Sequence, residues 1–160
     1  DDGEGGLIIE YYEGNADIVV IPESIDGKPV TRISKYTFAN DSCVKGIRLS
    51  SSVRVIEKFA FSHNTNLKYV VLSSGVEEIG ESAFQGCASL QEVIMGENVK
   101  VIDVLAFVQC TSLKSIEIPE SIETLNGAFH MMSEDFKIIG AAGSVAETCA
   151  TKSGIAFEAK

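Results

Sequence analysis

Basic residues are scarce: 13 Lys plus Arg stand against 23 Asp plus Glu, giving a formal net charge of −10 and a pI near 4.6. Each phosphate contact would be made against a repulsive field, which disfavours nucleic acid and anionic membrane surfaces as main partners. Histidine is scarcer still. His63 and His130 are the only two, and neither has a second His at helical ligand spacing or a nearby Cys pair, so no metal site is readable. Four Cys, at 43, 87, 110 and 149, are too few and too far apart for a disulfide-built scaffold, and the fold must rest on packing. Apolar runs stay short, as at 17–21 and 104–108, far below the ~20 residues of a spanning helix, so membrane insertion is not expected. Residues 1–6 lack the basic and apolar regions of an export signal. Neither a G-x-S-x-G elbow nor a phosphate-cradling glycine loop occurs, and Glu77, Glu78 and Glu81 read as a solvated rim rather than an acid/base pair. With no catalytic constellation present, neither an enzyme nor a cofactor is expected.

What the chain does have is 45% apolar residues over 160 positions, enough for one domain with a real core, and those residues recur at a fixed period. Ala-Phe pairs fall at 60–61, 83–84, 106–107 and 128–129, with Thr37-Phe38 upstream, so that the Phe spacings are 23, 23, 23 and 22. Val53, Val76, Val99 and Ile122 share the period, as do Ile56, Ile79, Ile102 and Leu125, and Val44, Leu67, Leu90 and Leu113. A unit this short cannot bury its own apolar face, so copies must stack into a solenoid. The openings 67–72 and 90–95 are apolar at their first, fourth and sixth positions, which predicts short strands paired in parallel one rung apart, at ~4.8 Å. The Ala-Phe segments are expected to be short helical turns that lay Phe61, Phe84, Phe107 and Phe129 inward as an aromatic spine.

Both ends depart from the template. Residues 1–30 are expected to form an N-terminal cap and a first rung with an insertion, 31–135 the 23-residue repeats, and 136–160 a C-terminal cap, all in one domain that closes its own stack. Strands are predicted at Leu7–Tyr12, Phe136–Ile139 and Ile155–Phe157, and a short helix at Ser144–Lys152. The repeat units Leu67–Ser89 and Leu90–Ser112, the opening Ile-Pro-x-x-Ile-Asp-Gly-Lys-Pro-Val-Thr at 21–31 and the Gly-Ser-x-Ala-Glu-x-x-Ala tail at 143–150 resemble the BspA-like class of bacterial leucine-rich repeats. The resemblance implies an α/β repeat protein: a right-handed solenoid with a parallel β-sheet face, helical turns opposite and terminal caps. It further implies a secreted or cell-surface bacterial protein that binds other proteins in adhesion, such as a host extracellular-matrix component or a microbial surface protein, with no catalytic residues to carry over. Ser73 and Gly96 depart from the Pro usual after the strand, Asn64 from the usual Cys, and the rung at Asn126-Gly127-Ala128 is shortened. Cys87 and Cys110 stand one rung apart, close enough to bond, but side chains of one column point the same way, which argues against a disulfide. The resemblance implies free buried thiols there that bond neighbouring backbone.

Residues 23 apart become neighbours on adjacent rungs. Arg54, Glu77, Lys100 and Glu123 alternate in sign, and Lys58 with Glu81 repeats the pattern, a ladder worth only ~0.2–1 kcal/mol per pair. On the outward strand face, Tyr69, Val71 and Ile94 form a compact apolar patch flanked by Arg48, Glu92 and Glu117, the composition of a protein-binding hot spot, although β-branched residues also suit an exposed sheet. Lys45 and Lys68 beside it are a weaker candidate for anion contact. Opposite, Val101, Val104, Leu105 and Val108 replace polar residues of other rungs, with Leu105 in column with Tyr36 and Phe59; they make a candidate second interface for weak self-association. The expected function is non-catalytic protein binding through the strand face, with a structural spacer or display segment of a larger surface protein as the other reading.

Overall fold

The computed structural model describes all residues 1–160. Each rung contributes one side to a broad strand face, one to a second, narrower strand ladder, and one to a row of turns. The broad face runs through β2 (Ile18–Val20), β5 (Gly46–Arg48), β7 (Tyr69–Val71) and β9 (Glu92–Ile94), and then, as a separate sheet, through β11 (Ser115–Glu117), β13 (Lys137–Gly140) and β14 (Ala156–Ala159), all pairs parallel. Alternation puts Ile47, Val70, Val93 and Ile116 inward and their neighbours outward, as the template requires.

The second ladder joins β1 (Leu7–Ile9), β4 (Lys28–Ile33), β6 (Val55–Ile56), β8 (Glu78–Ile79), β10 (Val101–Ile102) and β12 (Thr124–Leu125), with β3 (Ser24–Ile25) antiparallel to β4. Apart from the strand expected at Leu7–Tyr12, this ladder is not legible from the repeat, because a two-residue strand is too short to show alternation. The insertion of the first rung is the β3–β4 hairpin.

The Ala-Phe segments are not helical. Each is a pair of hydrogen-bonded turns, as in Ala60 N–H to Glu57 O at 3.2 Å and Ser62 N–H to Phe59 O at 3.2 Å. Alternate amides then reach sideways to the next rung: Phe61 N–H to Ala83 O at 2.8 Å, Phe84 N–H to Ala106 O at 2.8 Å, Phe107 N–H to Ala128 O at 3.0 Å. A segment of about six residues is below the length at which helix propagation offsets nucleation, and turning outward satisfies its amides laterally instead. The conformation demands two left-handed residues per rung. One column is Tyr36, Phe59, Ser82, Leu105 and Gly127; the other is Asn40, His63, Gly86, Gln109 and Met131, all with positive φ. Non-glycine residues there cost roughly 1 kcal/mol each, which the lateral ladder offsets.

Between the three sides lies one continuous core of 39 buried residues. Its axis is the aromatic column: ring centroids of Phe38, Phe61, Phe84, Phe107 and Phe129 follow one another at 5.0, 5.0, 5.2 and 5.7 Å, nearly parallel up to Phe107. Tyr12 and Phe136 extend it at the two ends, tilted against Phe38 and Phe129. Cys87 and Cys110 are free buried thiols, whose Sγ–H groups donate to Phe61 O at 3.1 Å and Phe84 O at 3.2 Å. Burial pushes the Cys87 thiol up to about 12. Helix α1 (Val145–Ser153) starts at Ser144, whose hydroxyl accepts from Glu147 N–H, and ends at left-handed Gly154; it packs Ala146, Cys149 and Ala150 against β12, β13 and β14.

Candidate protein-binding face

The predicted strand-face residues lie together on the outer side of β5, β7, β9 and β11. Arg48, Glu92 and Glu117 are exposed, Ile94 is 49% exposed, and Tyr69 and Val71 are half-buried. Tyr69 owes its partial burial to Gly46 on the preceding rung: a methyl built there would lie 2.1 Å from Tyr69 Cζ, so the ring lies flat over the glycine. The strip also extends further than the repeat period indicates. Parallel pairing sets Ile18 beside Gly46 and Val20 beside Arg48, with 52% and 65% of their surfaces exposed. The insertion makes that offset 28 residues instead of 23, which hid both from a column comparison; the signal available was the alternation Ile18, buried Val19, Val20. Ile18, Val20, Tyr69, Val71 and Ile94 thus form an apolar strip on the outer strand face, interrupted by Arg48.

Flanking charges are partly engaged. Lys45 Nζ reaches Asp17 at 2.8 Å and Lys114 Nζ reaches Asp135 at 2.7 Å, whereas Lys68 between them forms no ion pair. Of the expected alternating ladder, only Lys100–Glu77 forms an ion pair, at 2.9 Å; it holds the Glu77 carboxyl below and the Lys100 ammonium above their ordinary ranges. Arg54 turns to the backbone instead, donating to Gly75 O at 3.1 Å and Ser51 O at 3.3 Å, and Lys58 forms no pair with Glu81.

The four residues of the second candidate interface are unequally exposed. Val108 is only 7% exposed, Val101 and Leu105 are half-buried, and Val104 alone is exposed. Val108 sits between two left-handed residues with its N–H bound to Leu105 O and its carbonyl bound by Gly86 N–H, which pins it against the stack. Leu105 and Phe59 flank the small, buried Ser82 in their column. Tyr36, stacked on Phe59 at 5.3 Å, is the exposed aromatic of that column. No group of three His, Cys, Asp or Glu side chains gathers anywhere to hold a metal ion, and no helix is long and apolar enough to cross a membrane.

The BspA type leucine rich repeat region, in six copies, matches residues 17–145. The chain belongs to that family. Among solved structures, this BspA-type repeat protein is similar to the Treponema pallidum leucine rich repeat protein TpLRR at 24% identity and a TM-score of 0.76, over 99% of this chain and 92% of that one. It is also similar to a leucine rich cell surface protein of Faecalibacterium prausnitzii, with 25% identity, a TM-score of 0.70, and coverage of 89% of this chain and 43% of that one. The pneumococcal vaccine antigen PcpA shares the fold at 19% identity and a TM-score of 0.58, with 87% and 44% covered. The BspA-type chain therefore spans nearly all of the first and under half of the other two. No curated protein matches it. The family's fold generally serves protein interaction without catalysis.

Proposed function

We propose that this chain is a non-catalytic protein-binding module of a secreted or cell-surface bacterial protein, engaging a host or microbial surface protein through the strand face. The observation that carries the reading is the apolar strip Ile18, Val20, Tyr69, Val71 and Ile94, laid on a rigid sheet whose other side forms the core. The cell-surface relative supports the location. On this reading residues 1–30 and 136–160 close a right-handed stack of repeats at 31–135.

The test is capture by the immobilised chain from extracellular-matrix and microbial surface extracts, with partners identified by mass spectrometry. Val20→Glu and Ile94→Glu should each weaken capture at least about tenfold, as expected for an interface anchor, with the unfolding midpoint nearly unchanged. Equal capture by both variants refutes the face. A second reading, a spacer or display segment of a larger surface protein, draws support from the relatives about twice this chain's length.

A further inference from the structure

The strand ladder of the broad face has a gap at one step. Leu49 N–H reaches Val71 O at 3.0 Å, Leu72 N–H reaches Ile94 O at 2.8 Å and Ile118 N–H reaches Ile139 O at 2.9 Å. Met95 N–H, the equivalent donor of its rung, has no backbone acceptor, and no strand pairing joins β9 to β11. Met95 replaces the Leu or Ile of its column and is half-buried where those residues are buried. The two rungs are held together elsewhere, by β10–β12 and by the turns, where Leu105 N–H donates to Gly127 O at 3.0 Å.

Gly127 lies in the shortened rung and follows Asn126. Its φ is 58°, and Nε2 of His130 stands 3.2 Å from where a Cβ would sit. The left-handed backbone and the imidazole both favour glycine at this position. An asparagine followed by glycine is chemically labile, because no side chain crowds the glycine nitrogen as it approaches the carboxamide carbon. Whether a folded chain lets the two groups meet depends on what holds them.

Of the six asparagines, Asn126 alone is both accessible and untied on both sides of that reaction. The Asn66 and Asn98 carboxamides donate to Ser42 O at 2.8 Å and Ser74 O at 2.7 Å. After Asn15 and Asn40 the following amide is engaged, Ala16 N–H by the Tyr12 hydroxyl and Asp41 N–H by Phe38 O, both at 3.2 Å. Asn64 is fully buried and precedes β-branched Thr65. Asn126 is exposed, its carboxamide makes no hydrogen bond, and Gly127 N–H has no acceptor, since its turn is the last of the row and has no further turn to reach. Both residues line an open cleft of about 290 Å³ between β12 and α1, which gives water access to them.

We propose that Asn126-Gly127 is a self-modifying site that loosens this step of the stack as the protein ages. The Gly127 nitrogen attacks Asn126 Cγ; the new C–N bond closes a cyclic imide, the Cγ–Nδ2 bond breaks, and ammonia departs with the former amide proton. Water then opens the imide at either carbonyl to give aspartate or isoaspartate, with no change of oxidation state. Isoaspartate routes the main chain through Cβ and Cγ and so lengthens it by one carbon before Gly127. The extra carbon moves Gly127 O away from Leu105 N–H, at the step that the broad face leaves unpaired.

The test is peptide mapping of the full native chain held in warm neutral buffer, with electron-transfer fragmentation to separate aspartate from isoaspartate. Asn126 should convert at least about tenfold faster than Asn15, Asn40, Asn66 or Asn98, and its native rate should stay within about tenfold of its rate in urea, because no closed structure shields it. In the isoaspartyl chain the Leu105 amide should exchange at least about tenfold faster than in the fresh chain, with the Phe61 amide unchanged. Asn126→Asp adds the charge without the extra carbon and should keep Leu105 protected. Asn126→Gln, whose longer side chain cyclises poorly, should keep both its mass and its Leu105 protection through the same incubation. A native rate far below the urea rate, isoaspartate at 126 with Leu105 exchange unchanged, or equal loosening of Leu105 by Asn126→Asp overturns the proposal.

Discussion

Removing one ring from the aromatic column should cost far more than the same apolar volume elsewhere in the core. Phe84 is fully buried, with Phe61 at 5.0 Å and Phe107 at 5.2 Å on its two faces, each tilted by only 5°. Phe84→Ala leaves a cavity that the hydrogen-bonded rungs cannot collapse into, so the loss should fall in the upper half of the ~3–5 kcal/mol typical of buried Phe→Ala. Phe84→Leu keeps most of the volume and isolates the ring contacts; two contacts at ~0.5–1.5 kcal/mol each predict a loss of about 1–3 kcal/mol. Because Phe61 and Phe84 share a contact, the double Leu variant should be less destabilised than the sum of the singles, by ~0.5–1.5 kcal/mol. Urea unfolding followed by circular dichroism, with slopes compared, measures all three. A Phe84→Leu loss below about 0.5 kcal/mol, or strict additivity in the double variant, refutes a stabilising role for the stacking itself.

Other outcomes follow from single side chains. Asn64 is fully buried with neither amide atom hydrogen-bonded, in the column where Cys87 and Cys110 donate to carbonyls, so Asn64→Cys should stabilise the fold by about 1–3 kcal/mol, read as a higher urea midpoint; no gain would mean the amide is satisfied in solution. Thiol labelling of the native chain at mild alkaline pH should modify exposed Cys43 rapidly and leave Cys87 and Cys110, both raised by burial, unmodified; mass spectrometry showing Cys87 labelled as fast as Cys43 refutes this. The Asp2 carboxyl is drawn down to about 2 by the Thr31 hydroxyl at 2.6 Å and by the Glu4 and Gly6 amides, both at 2.8 Å. A carboxyl depressed by folding stabilises above its ordinary 3.8 and loses that effect as pH falls toward about 2, so the Gly6 amide resonance should shift only in that window. A midpoint at or above 3.8 would show the tie to Thr31 absent.

Legibility in the sequence tracked how far each feature obeyed the period. Phe61, Phe84, Phe107 and Phe129, the inward strand residues and the Cys87/Cys110 column could all be placed by counting, because stacking converts equal spacing into equal position. The outer strip was half legible: Tyr69, Val71 and Ile94 follow the period, whereas Ile18 and Val20 precede an insertion and drop out of register. Turn geometry was misjudged at Ala60-Phe61 and its equivalents, since composition does not reveal that amides bond laterally rather than along the chain. The left-handed columns carry Tyr, Phe, Leu, His and Gln in most rungs, with glycine only at Gly86 and Gly127 to announce them. The gap between β9 and β11 was invisible as such. Its two sequence marks, Met95 and the short rung, each look like harmless variation until the ladder is followed bond by bond.

That gap also has a mechanical meaning. Every other step in the repeats also has paired strands on the broad face, whereas this one relies on the β10–β12 pair, the Ser121 hydroxyl donating to Val99 O at 2.7 Å and the turn-side bonds from Leu105, Phe107 and Gln109, across the widest ring spacing between Phe38 and Phe129, 5.7 Å. A stack whose stability is a sum of neighbouring interfaces yields first at its weakest one. Stretched end to end, the chain should part here into two blocks, the first ending near residue 112, so that this step marks where tension on the molecule would be felt first.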